Sequence, residues 1–293
     1  MNAIATLLSA SVGSARFCAA ICFHQPVPAL SSSQATALSA SQLNALGSSQ
    51  VAALTSTVLS SINDGAFGTL STTVLQALTT GQIPNLTDKQ IKSLSSSQLN
   101  NLEADDLKKL STGQVAALSA SQLSKLSTSQ LNALTTTQFE SLSAIQVGGL
   151  TSAQMSSLST DHVKALTSKQ AATLTAIQLN GLGASQLAAL DTSDVAALNA
   201  SAVGKLSTAN VAALSSDQVK AFSVSQLQSL STAQIQALGD DVAALGTSQL
   251  ANLKATQISA MTTAQLNSLS TTQLRSLTGT QVSSLTTTQI TSL

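Results

Sequence analysis

The sequence predicts an all-α fold, an elongated solenoid of very short helices with one helix to each octapeptide. Three observations predict it. A large apolar residue recurs every eight positions, a helix-capping residue follows it at once, and glutamine stands three places beyond the cap.

The repeat starts at Leu30. From there the apolar marker returns every eight positions as far as Leu238, a seven-residue unit ends at Leu245, and six more octapeptides reach Leu293. Of 34 marker positions 31 are Leu, the others being Ile62, Phe222 and Met261. The unit reads Leu, Ser/Thr, any, any, Gln, Leu/Ile/Val, any, small, as in Leu126-Ser127-Thr128-Ser129-Gln130-Leu131-Asn132-Ala133. The chain thus divides into a non-repeat segment, residues 1–29, and an octapeptide-repeat solenoid, residues 30–293, of about 33 units with a one-residue deletion at 239–245.

The period requires a break in every unit. A continuous helix turns about 100° per residue, so eight residues leave the marker about 80° out of phase and no buried stripe forms. In a continuous strand the two apolar slots, five apart, would face opposite sides. A β-solenoid with a fixed short period is the alternative fold.

The break is written as a helix start. Slot two is Ser, Thr, Asn, Asp or Gly in 31 of 33 units, with Glu103 and Lys254 as exceptions, and these residue types are preferred at the N-cap. Gln stands at the capping-box spacing in 24 of 33 units, and the flanking apolar residues hold the positions of a hydrophobic staple. A helix this short is unstable alone, because nucleation costs more than its few hydrogen bonds return. Stacking must rescue it by burying a Leu ladder beside a Leu/Ile/Val ladder. Glutamine suits such a stack, since neutral amides can cap the helix and also bond along the ladder, whereas carboxylates repeated at every unit would repel.

Composition narrows the function. Charged residues are 8% and aromatic residues 2%, with no Trp or Tyr, against roughly 25% charged in an average soluble domain. Few side chains are left for chemistry, and the expectation is a non-enzyme with no catalytic, cofactor-binding or metal-binding residues. Twelve basic and twelve acidic residues cancel, so no basic stripe offers itself to nucleic acid.

Departures from the consensus read as structural. The units at 54–78 carry Val58, Ala66 and Val74 instead of Gln and include Asn63-Asp64-Gly65, a turn signal that predicts a local bend or insertion. Pro84 should shorten or kink its helix. Glu103, Asp105, Asp106, Lys108 and Lys109 read as a solvated face, and Gly239-Asp240-Asp241 as a phase shift at the deletion, with too few oxygen ligands nearby for calcium. His162 replaces Gln and is expected to cap or to face solvent.

In the N-terminal segment, Cys18, Cys22 and His24 lack the fourth ligand and the spacing of a zinc site, and read as apolar packing of a terminal cap. Residues 3–23 are apolar but interrupted by Arg16, which argues against a transmembrane segment. A secretory signal remains open, with Gly13 and Ala15 as small residues near a cleavage point and no preceding Lys or Arg.

The tandem pattern, clear in Leu134-Thr135-Thr136-Thr137-Gln138 and in Leu269-Ser270-Thr271-Thr272-Gln273-Leu274, resembles repeat regions of long bacterial surface or secreted proteins of the adhesin and haem-utilisation kind. The resemblance covers residues 30–293. It implies a stalk, spacer or filament module in an extracellular or cell-surface setting, and it carries over no catalytic residue and no haem ligand. Two other readings stand beside it: an extended scaffold for a protein, a glycan or an ordered surface such as ice, and a β-rich amyloid-like fibre. End-to-end self-association is the expected partnership, because the repeat runs to Leu293 in mid-pattern.

Overall fold

A computed structural model describes residues 30–293. The expectations for residues 1–29, namely the signal or cap and the Cys18, Cys22 and His24 cluster, lie outside the described residues. Every described element is a helix of six residues or fewer, and there is no strand among the described residues. The fold is all-α, which overturns the β-solenoid alternative there and removes the basis for a β-rich fibre.

Each α-helix starts where slot two dictates. Ser111 is extended at φ −70°, ψ 160°, its hydroxyl accepts from the Gln114 N–H, and the helix Thr112–Ala117 follows. Leu118 is extended again at φ −62°, ψ 138°. Marker and cap together form a corner, and the corner stops one helix while aiming the next. A capping hydroxyl is worth about 1 kcal/mol, so the corner is specified repeatedly by local chemistry.

Helices pack on the third helix along the chain. Asp88–Ser93 packs on Thr112–Ala117, Ala104–Lys109 on Thr128–Ala133, and Ser152–Ser157 on Ala176–Gly181. Three octapeptides therefore close one three-sided coil of 24 residues. The described chain forms two compact units, with the division after Ser141, and each is built of these coils.

The core of an interior coil is its three markers and its three slot-six residues. Val115, Leu123 and Leu131 are fully buried, and Leu118, Leu126 and Leu134 nearly so. Full burial of such a side chain contributes roughly 1.5–3 kcal/mol, so the coil supplies what an isolated six-residue helix lacks.

Irregular units are accommodated within this scheme. Ile83–Asn85, which contains Pro84, is reduced to a single 3-10 turn, since proline removes a donor and restricts the preceding residue. Asn63-Asp64-Gly65 is not a free bend. Asn63 caps the helix Asp64–Phe67, its Oδ1 accepting from the Gly65 and Ala66 N–H groups, because Asn serves a cap as readily as a turn. The deletion is absorbed by a 3-10 helix, Gly239–Ala244, with Gly239 at φ +54°. The phase shift stays local. Gln257 bonds to carbonyls 27 and 30 residues back, but Gln281 bonds at 28 and 31 again.

Candidate functional site

The repeated chemical feature is a glutamine clasp. Gln90 Oε1 accepts from the Thr87 N–H at 2.9 Å, and its Nε2 donates to the Leu59 and Ile62 carbonyls one coil back, each at 2.9 Å. Gln138 repeats this on Thr135 at 2.7 Å, Leu107 at 2.9 Å and Leu110 at 2.6 Å. In the second unit Gln218 does so on Ser215 at 3.0 Å, Leu187 at 2.8 Å and Leu190 at 2.7 Å. One buried amide thus caps the start of its own helix and the end of a helix in the preceding coil, satisfying backbone groups that helix ends leave open. Glutamate could accept but not donate here, a stronger constraint than repulsion along a ladder.

Each compact unit contains one coil with no glutamine in slot five. In residues 54–77 the slot holds Val58, Ala66 and Val74, and in residues 190–213 it holds Asp194, Ala202 and Asn210. Asparagine in slot seven of the preceding coil compensates in part. Asn44 donates to the Thr69 carbonyl at 3.1 Å and accepts from the Ser71 N–H, the cap that Val74 cannot serve. Asn180 donates to the Lys205 carbonyl at 2.9 Å and accepts from the Ser207 N–H at 2.8 Å, above which stands Asn210. The two alanine units share a further device. A Cβ on Gly68 would lie 2.7 Å from the Ser93 carbonyl oxygen, and one on Gly204 would lie 2.6 Å from that of Ser229, so both positions need glycine for close approach of the next coil.

Two acids occupy the clasp position, each with an acidic residue in the cap slot. Asp106 is buried, and the Glu103 N–H donates to it; desolvation first, then the charges of Glu103 and Asp105, raise its pKa above the ordinary aspartate value. Its burial corrects the reading of residues 103–109 as a uniformly solvated face. The rest of that unit fits the reading, with an exposed Lys108–Asp105 ion pair at 3.0 Å. Asp194 is 2% exposed. Ser168 Oγ donates to its Oδ1 at 2.9 Å, while Oδ2 is buried with no partner. Desolvation leads the upward shift of its pKa, the Ser168 bond opposes it, and Asp191 adds to it.

His162 is likewise buried and not solvent-facing, with Nδ1 2.6 Å from Ser159 Oγ. Asp241, at the deletion, accepts from Ser216 Oγ. The slot therefore buries Asp106, His162 and Asp194 as it does most of the glutamines.

Beyond the clasps, the surface carries a groove of about 720 Å³ lined by residues that include Ser32, Ser60, Asn63, Asp64, Asp88 and Lys89. It offers hydroxyls, two carboxylates and one ammonium group, a hydrogen-bonding surface without an aromatic platform. Among the described residues no three His, Cys, Asp or Glu side chains converge as metal ligands, and no helix is long and apolar enough to cross a membrane.

Sequence reasoning expected the glutamine amides to bond along the stack, but it missed that their partners are backbone carbonyls of the preceding coil, and it missed the asparagine substitutes. The latter had a readable signal: an Asn in slot seven, 27 residues before the cap of a unit without Gln.

The class defined by this fold is an all-helical octapeptide repeat protein. A family model described as the ALTTAQ repeat matches at residues 99–136, 128–160, 187–224 and 239–271, which marks a repeat region by similarity. No curated protein matches the chain.

Proposed function

We propose that the chain is a structural repeat module, a stalk, spacer or filament element of a bacterial surface or secreted adhesin-like protein, without catalytic activity. The observation that carries this reading is the glutamine clasp, which commits the most regular polar group of the sequence to joining one coil to the next. A side chain spent in this way is buried and unavailable to a substrate.

The reading makes length the functional variable. Adding or removing one 24-residue coil should change the maximum dimension in small-angle scattering by about 10 Å, the spacing of packed helices, with helicity per residue unchanged. A dimension that does not follow coil number would defeat it. Self-association belongs to the same proposal, and light scattering over a range of concentration tests it. Surface labelling of intact cells tests the extracellular setting.

The groove beside Asp64 and Asp88 favours a second reading, a scaffold binding a polar partner such as a glycan. Binding to a glycan array that is lost in Asp64→Ala and Asp88→Ala would support it.

A further inference from the structure

We infer that the second compact unit carries a binding notch for a primary carboxamide, at the position where Ala202 replaces glutamine. The inference is independent of the spacer reading. It rests on a cavity together with the hydrogen-bonding groups that the replacement leaves in it.

In the preceding coil of this column, Gln178 fills the slot. Its Oε1 accepts from the Thr175 N–H at 2.9 Å, and its Nε2 donates to the Leu150 and Val147 carbonyls at 2.8 and 3.1 Å. The equivalent atoms one coil later are the Asn199 N–H and the carbonyls of Leu174 and Ala171. Ala202 reaches none of them. The Asn199 side chain is engaged elsewhere, its Oδ1 accepting from the Ser201 N–H at 2.9 Å, and among the described residues nothing bonds to the Asn199 N–H or to the Leu174 carbonyl. A cavity of about 300 Å³ opens at this place, lined by residues that include Thr173, Leu174, Thr175, Asn199, Ala202 and Lys205.

The notch is lined by Asn199 and Leu174 and so brings together one donor, the Asn199 N–H, and one acceptor, the Leu174 carbonyl, of the set that a glutamine amide satisfies elsewhere in the same unit. A primary carboxamide matches it: the oxygen accepts from the Asn199 N–H, and the NH₂ donates to the Leu174 carbonyl. A carboxylate offers no donor to the carbonyl, and a tertiary amide offers none either. The other alanine unit is built differently. At Ala66 the cap Asn63 borders the large groove, but Ala66 does not line it. The carboxamide could come from free glutamine or from a Gln or Asn side chain of a peptide.

The test is titration of the full chain with acetamide, read at the Asn199 amide after selective ¹⁵N-asparagine labelling. The expected result is a saturable shift with acetamide and about tenfold weaker binding of N,N-dimethylacetamide and of acetate, as expected for loss of the donor. Ala202→Gln, which restores the consensus, and Ala202→Val, which fills the space without donors, should both abolish the shift. Comparison of free glutamine with glutamine blocked at both ends then identifies the source that binds better. A notch that holds only water would show no saturable shift with acetamide, and that result, or an equal shift in Ala202→Gln, would overturn the inference.

Discussion

The two coils without glutamine solve one problem in opposite ways. Residues 54–77 replace the clasp with apolar side chains, and Val58 and Val74 are buried. Residues 190–213 keep polar groups in two of the three slots, and the result is an unpartnered Asp194 Oδ2 and a cavity beside Ala202. The first coil gives up the clasp amides and keeps the packing; in the second, Asn210 still reaches the Leu179 carbonyl at 3.1 Å, while Asp194 leaves Oδ2 unpartnered and Ala202 offers no polar group. Length and donor count of one side chain decide whether a coil is sealed.

The largest effect should come from breaking a regular clasp. Gln138→Glu sets a carboxylate against the Leu107 and Leu110 carbonyls that now receive an amide donor. Leaving a buried polar group without its partner costs about 3 kcal/mol at the upper end for neutral groups and more for charged ones, so the unfolding free energy from urea titration should fall by that order. Part of the loss should return in acid, where the protonated side chain donates again.

The natural acid sharpens the comparison next. Because burial raises the Asp194 pKa in the folded chain, the fold binds that proton more tightly than the unfolded chain does. Stability from this group is then highest below the ordinary aspartate range and falls as pH rises through the interval up to the raised value. Asp194→Gln should stabilise the protein at neutral pH by about 1–2 kcal/mol and remove that slope from a pH series of unfolding curves. A flat series in the unmodified protein would contradict the assignment.

A smaller effect concerns the asparagine substitutes. Asn44→Ala should cost about 1 kcal/mol, a typical net hydrogen-bond contribution. In a Val74→Gln background the cost should shrink, because the introduced amide would accept from the Ser71 N–H itself; a double-mutant cycle with purely additive terms would show that Asn44 does not stand in for the clasp. The smallest difference is kinetic. Amides of residues 54–77 and 190–213 should exchange faster than those of residues 110–133, by about tenfold for each 1.4 kcal/mol of local stability lost, as read by mass spectrometry.

Much of this was legible before any fold was in hand. Ser111 and Gln114 specify a helix start by side chains that reach their own backbone, and that chemistry is local. The markers were legible for the same reason, since Leu118 and Leu126 needed only their period to be read as core. Asp106 was misplaced because the sequence does not say which face of a six-residue helix meets the preceding coil, and of the two readings of His162, cap or solvent, only the first fits its contact with the cap residue Ser159. The Asn44–Ser71 bond spans 27 residues, and no local rule links the two.

By itself, then, the sequence determined where each helix begins and ends, which side chains are core, and that the units must stack. The number of units in a coil was decided only by tertiary structure, because corner angles alone set which helix meets which. Once three units close a coil, the amide of Gln90 faces Leu59 and Ile62. A capping residue thereby becomes the link between coils.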